Sequence, residues 1–162
     1  MGPVVSVPLP SVVGRGQPGG VNEHIALTVL TPRCDRYAMR LTVGEHSARH
    51  VRRIVRSLLR EWETEEVSDA VELGVTELLA NVVRHVPGRR CALLVLRRPL
   101  GVRVEVADGS DQVPCVPDDL APDAEHGRGL VLLAAVSDAW GVEPGERGGK
   151  TVWFECAREP HT

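Results

Sequence analysis

Aromatic residues are scarce: three Trp, one Tyr and one Phe make up 3% of 162 residues. That speaks against a single-strand nucleic-acid groove built on stacking rings. It also leaves the core to Val, Leu, Ala and Ile. Lysine is scarcer still, with Lys150 alone beside 18 arginines. The Arg bias has the style of a GC-rich genome, and it makes the place of Lys150 worth finding. No C-x-x-C pair occurs. Cys34, Cys91, Cys115 and Cys156 stand at spacings that match no zinc pattern, so reduced thiols in a cytoplasmic protein are expected. No apolar run nears the roughly 20 residues of a membrane span, so no membrane association is expected. No basic segment followed by an apolar stretch opens the chain as in a signal peptide. Gly2 with Ser6 fits the myristoylation pattern, which Pro3 makes a chance match. Nor is there an excess of positive charge. A net charge of -3 argues against an electrostatic nucleic-acid binder. No internal repeat is visible.

What remains is the composition of one globular domain, 43% hydrophobic and 25% charged. Its length suffices for a core without disulfide or metal staples. Residues 1–22 carry four prolines and five glycines and read as a flexible leader. The domain is expected over 23–158, with a short tail at 159–162.

Two short strands are expected over 24–31 and 36–43. A helix follows, with Val51, Ile54, Val55, Leu58, Leu59 and Trp62 forming one apolar stripe. Thr42 and Glu45 have capping-box spacing for its start. A second helix is expected from Ser68 to His85, with Val71, Val75, Leu78 and Val82 on its buried side and Pro87–Gly88 ending it. Strands follow over 90–97 and 101–107. In the second, Val102, Val104 and Val106 alternate with Arg103 and Glu105, as in a sheet with one exposed face. A Pro/Asp-rich loop runs to Gly127; so long a loop in a compact domain is usually a functional lid or disordered. A third helix near Gly129 is almost wholly apolar, hence expected to be buried. Trp140–Val142 and residues 151–156 complete the strands. The order implies an α+β fold, a two-layer α/β sandwich with a mixed, mostly antiparallel sheet and helices on one face.

Four local features carry chemistry. On the second helix Glu77 and Asn81 lie one turn apart, with Arg84 and His85 beyond them on the same side. A carboxamide oxygen is a hard ligand for Mg²⁺, and a nearby carboxylate can take a proton or orient water. Asp108–Gly109 ends a Val-rich strand. An acceptor-only carboxylate there can bind an exocyclic amine, and the glycine lets a ligand approach. Gly127-Arg128-Gly129 opens a helix, where free backbone N–H groups favour an anion. Gly149-Lys150-Thr151 precedes the last strand. It mimics a P-loop tail, but only three residues separate Gly145 from Gly149 and a strand follows, so the P-loop reading is rejected. Each feature alone has an ordinary structural explanation.

Together, in this order, they resemble the GHKL ATPase family with its Bergerat fold. More narrowly they are similar to the small actinobacterial relatives of anti-sigma-factor serine/threonine kinases. The resemblance covers about residues 40–156. Glu77 to Asn81, continuing through Arg84-His85, match the N-box; Asp108-Gly109-Ser110 the adenine box; Gly127-Arg128-Gly129-Leu130 and Gly149 to Trp153 the later glycine boxes. The resemblance implies ATP and Mg²⁺ as cofactors. Glu77 would be the general base and Asn81 the Mg²⁺ ligand. Asp108 would bond the adenine amine, with Gly109 beside it and Thr151 in support. Gly127, Arg128, Gly129 and Leu130 would cradle the phosphates. The implied partners are a sigma factor, an anti-sigma antagonist protein, or both, and a homodimer is compatible with the family. The family's adenine box commonly reads Asp-x-Gly-x-Gly. Here Ser110 and Gln112 stand at the two later glycine positions, which allows an alternative: an ATP-binding regulator-binding module with little or no turnover.

Two further features carry less. His46 and His50 are one turn apart on the first helix without a third metal ligand. Arg49, Arg52, Arg53, Arg56 and Arg60 run along one side of that helix. They are read as a solvated or partner-facing surface, next to the acidic run Glu61–Glu66.

Overall fold

The computed structural model describes residues 25–27, 35–112, 128–145 and 148–158. The expected leader, the tail and the greater part of the loop before Gly127 lie outside the described residues.

The strands are β1 (Ile25–Leu27), β2 (Arg36–Thr42), β3 (Arg90–Arg98), β4 (Gly101–Asp108), β5 (Ala139–Pro144) and β6 (Lys150–Ala157). The helices are α1 (Ser47–Glu61), α2 (Ser68–His85) and α3 (Arg128–Val136). The strands form one sheet in the order β1-β2-β3-β4-β6-β5. Every pairing among the described strands is antiparallel, so the sheet is not mixed. The fold is an α+β two-layer sandwich, as the element order implies.

Alternation decides which side of the sheet the helices cover. Met39, Leu41, Leu93, Val95, Val102, Val104, Val106, Val152 and Phe154 are buried on one face. Residues between them, such as Arg40, Ala92, Arg103 and Glu155, lie on the other. From the helices, Val51, Val55 and Leu59 of α1 and Val71, Val75, Leu78 and Val82 of α2 close the core. Both apolar stripes are those the sequence predicts.

Gly74 makes the closest approach between layers. A Cβ there would stand 2.5 Å from Cζ of the fully buried Phe154. A larger residue would hold α2 off the sheet.

A polar clamp joins α1 to α2. Arg56 donates to Glu72 Oε1 (2.7 Å) and Oε2 (2.5 Å), and Ser68 Oγ donates to Oε1 (2.9 Å). Burial alone would raise the Glu72 pKa, but the bonds from Arg56 and Ser68 and the charges of Arg56 and Arg52 outweigh it and hold it low. Arg52 donates to Thr76 Oγ1 at 3.1 Å. Two of the five α1 arginines therefore hold the helix pair together. Arg49, Arg53 and Arg60 remain exposed.

Two local expectations need correction. Thr42 does not cap α1: it ends β2, and His46 is the residue before the helix, with no side-chain cap bond. The Gly44 N–H donates instead to Ser47 Oγ at 2.8 Å. Nor is α3 buried all round. Leu130 and Leu133 face the core, while Val131 and Leu132 remain 36% and 42% exposed. One sheet-and-helix layer can cover only one side of α3.

Candidate functional site

β4 and β6 come together side by side on the sheet face that α2 covers. Asp108, the last residue of β4, stands opposite Lys150, the first of β6. Both continue the helix-facing rows of Val102, Val104, Val106 and of Val152, Phe154, so both side chains turn inward. Their side chains are 4% and 8% exposed. Lys150 Nζ donates to Asp108 Oδ1 at 2.9 Å and to the Ser110 carbonyl at 3.2 Å. The Ser110 N–H donates to the same Oδ1 at 2.8 Å. Isolated charges buried this deeply are costly, and the pairing offsets that cost. Oδ1 takes both bonds; Oδ2 takes none among the described residues.

Gly149 makes the convergence possible. It has φ +80°, and a Cβ there would run into the Asp108 carbonyl oxygen. A side-chain-bearing residue would be both strained and in collision at this point. Next to Asp108, the space around Gly109 is open, with nothing within 4 Å of a notional Cβ. A buried carboxylate with one unengaged oxygen, beside open space, fits a ligand that donates from an amine.

On α2, Glu77 and Asn81 are half-buried, one turn apart, and flank the buried stripe. Neither makes a hydrogen bond or ion pair among the described residues. α3 brings its first turn against them: a Cβ on Gly129 would lie 2.6 Å from Glu77 Oε2. Glu77 thus faces the start of α3; the first N–H groups of a helix have no partner within it and favour an anion. Leu130 is buried behind it. Arg128 is the first residue of α3, and Gly127 lies outside the described residues. Among the described residues no three His, Cys, Asp or Glu side chains come together to hold a metal. A hard cation here would draw most ligands from phosphate and water, with Asn81 as the protein oxygen. That is the usual manner of Mg²⁺ binding.

The family resemblance gives Thr151 a supporting role beside Asp108, directly or through water. Thr151 pairs with Ala107 and alternates to the outer face of the sheet. Lys150 is the side chain that meets Asp108. The signal was present in the sequence as its single lysine, but strand register was needed to read it.

The outer face holds separate features. Arg103 bonds Glu105 (2.7 Å) and Glu155 (3.1 Å), and its guanidinium lies 4.0 Å from the Trp153 ring centroid. A depression of about 560 Å³ is bordered by Arg40, Leu41, Thr42, Arg90, Cys91, Ala92, Ala107, Asp108 and Gly109. Cys91 and Cys156 are buried free thiols. Burial first, and then the charges of Asp108 and Asp138 respectively, push each up to about 12, which leaves them inert.

The family model described as a histidine kinase-like ATPase domain matches residues 31–156. No curated protein matches the chain. No helix among the described residues is long and apolar enough to cross a membrane.

Proposed function

The chain belongs to the family of histidine kinase-like ATPase domains, which makes it an ATP-binding module, and on that premise we propose that it is a Mg²⁺-dependent serine/threonine protein kinase of the anti-sigma-factor type. Its substrate in this reading is a cytoplasmic antagonist protein, and its second partner a sigma factor. A homodimer is compatible with the reading.

The observation that carries the proposal is the state of Glu77. It is a half-buried carboxylate with no hydrogen-bond or ion-pair partner among the described residues, beside the first turn of α3 and one turn from Asn81. A structural carboxylate in this molecule looks different: Glu72 has three bonds. An uncommitted carboxylate next to an anion-favouring helix start suits proton removal from a hydroxyl nucleophile.

Mg-ATP, when bound, supplies a γ-phosphoryl group whose bond to the bridging oxygen breaks as ADP leaves. Glu77 accepts the proton of the serine or threonine hydroxyl that forms the new P–O bond. Asn81 would offer its carboxamide oxygen to the cation. Asp108, through Oδ2, would accept from the amine of the adenine base. The first turn of α3, Arg128 through Leu130, would hold the phosphates. Catalysis in such a site is chiefly positioning and charge stabilisation.

A second reading has its own support. Ser110 is buried, its N–H bonds Asp108 Oδ1, and its Oγ accepts the Gln112 N–H at 3.3 Å. These bonds stiffen a segment where the family carries glycines. A segment pinned in this way favours a regulator-binding module that holds ATP with little turnover.

Labelled phosphate transfer to candidate antagonist proteins separates the two. The kinase reading expects transfer by the wild type and none by Glu77→Ala. Transfer undiminished in Glu77→Ala refutes the assigned base. ATP binding without transfer to any partner favours the module.

A further inference from the structure

Lys150 has no place in the site as read from sequence, yet it is the most deeply buried cation among the described residues. An ammonium group has three N–H donors and no acceptor. Two are accounted for, on Asp108 Oδ1 and on the Ser110 carbonyl. The third has no protein partner among the described residues. Water reaches the group poorly, since the side chain is 8% exposed. A buried donor left unmade is costly, so the position calls for an acceptor.

The same ion pair fixes Asp108. Oδ1 is engaged by Lys150 and by the Ser110 N–H, and Oδ2 is left over. The register that sets Asp108 opposite Lys150 therefore places one spare acceptor and one spare donor side by side. Adenine presents the complement: an amine donor at C6 next to a ring acceptor at N1. A 6-oxopurine presents the reverse, an acceptor at C6 and a donor at N1.

We infer that Lys150 is a specificity-determining residue that donates to the purine N1 acceptor while Asp108 accepts from the 6-amine. The pair reads the 6-aminopurine edge as a unit. This rests on the ATP-binding reading of the site and is independent of whether phosphate is transferred.

The test is a calorimetric titration of the full chain with Mg-ATP and with the Mg complex of 1-deaza-ATP, which keeps the 6-amine and replaces N1 by C–H. Lys150→Met is titrated alongside. The wild type should bind the 1-deaza compound about tenfold or more weakly, the scale of one charge-assisted hydrogen bond. Lys150→Met should bind the two within about twofold of each other, whatever its overall affinity, because the lost contact is then absent from both sides of the cycle. A merely structural lysine would weaken both ligands alike and leave their ratio unchanged.

Equal binding of the two nucleotides by the wild type overturns the inference and leaves ATP binding intact. So does a wild-type preference for ATP that survives in Lys150→Met. Absence of binding of either nucleotide at millimolar concentration overturns both the inference and the reading beneath it. If Lys150→Met does not fold, Lys150→Ile, an apolar residue suited to a strand, takes its place in the same titrations with the same expected and overturning results, and equal affinities in the wild type still reject the contact.

Discussion

Gly74→Ala sets two known effects against each other. In an exposed helix interior, replacing Gly by Ala stabilises by about 1 kcal/mol. At Gly74 the new methyl would lie 2.5 Å from Cζ of Phe154 and 2.8 Å from both Cε atoms. Comfortable carbon contacts need about 3.5–4.0 Å, so ring and helix must part by about 1 Å. The ring has little room to retreat. Phe154 is fully buried and sits on β6 between Val104 of β4 and Trp140 of β5. Overpacking of this kind costs about 1–3 kcal/mol, and the rigid surroundings point to the upper part of that range. Net destabilisation of about 1–2 kcal/mol is expected after the propensity gain is subtracted. Urea unfolding should show a lower midpoint with an unchanged slope. In a Phe154→Leu background the penalty should shrink or reverse, because the colliding ring is gone. Gly74 also lies one turn before Glu77, so a displaced α2 should weaken nucleotide binding. A Gly74→Ala protein as stable as the wild type would refute the close approach of α2 to β6.

Gly129→Ala collides with a different kind of neighbour. The Glu77 carboxylate is the end of a flexible side chain and can swing away, so the fold should survive with a nearly unchanged melting temperature. In the proposed kinase, phosphate transfer should fall more than tenfold as the assigned base is displaced, on the scale of one misplaced acid–base group, measured beside nucleotide affinity. Acid should destabilise the protein through Glu72. Its pKa is lowered by folding from the ordinary 4.5. The stabilisation is therefore complete above that value and is lost as pH falls through the lower folded value. Melting temperatures below pH 4.5 should fall less steeply in Glu72→Gln than in the wild type, and parallel profiles would count against the clamp.

The sequence made the elements legible because their patterns are periodic. The stripes of α1 and α2 and the alternation of β4 survive unchanged in the structure, since each fixes a face by spacing alone. What it could not supply was register across strands. Lys150 and Thr151 are adjacent in sequence but fall on opposite faces of β6, and only the pairing of β4 with β6 says which one meets Asp108. Side-chain partners were equally out of reach. The α1 arginines form one stripe in sequence, yet Arg52 and Arg56 are tied to α2 while Arg49, Arg53 and Arg60 stay exposed. The apolar run of α3 suggested full burial, because composition alone does not reveal how many sides of a helix find a neighbour.

Asp108 is the proposed anchor for the base of ATP. Calorimetric titration with Mg-ATP of the wild type and of Asp108→Asn tests it most directly. The amide also lacks the charge that pairs with Lys150, so both are checked for cooperative melting first. Saturable binding by the wild type and none detectable by a folded Asp108→Asn is expected. Equal binding by the two proteins, or none by the wild type at millimolar nucleotide, would contradict it.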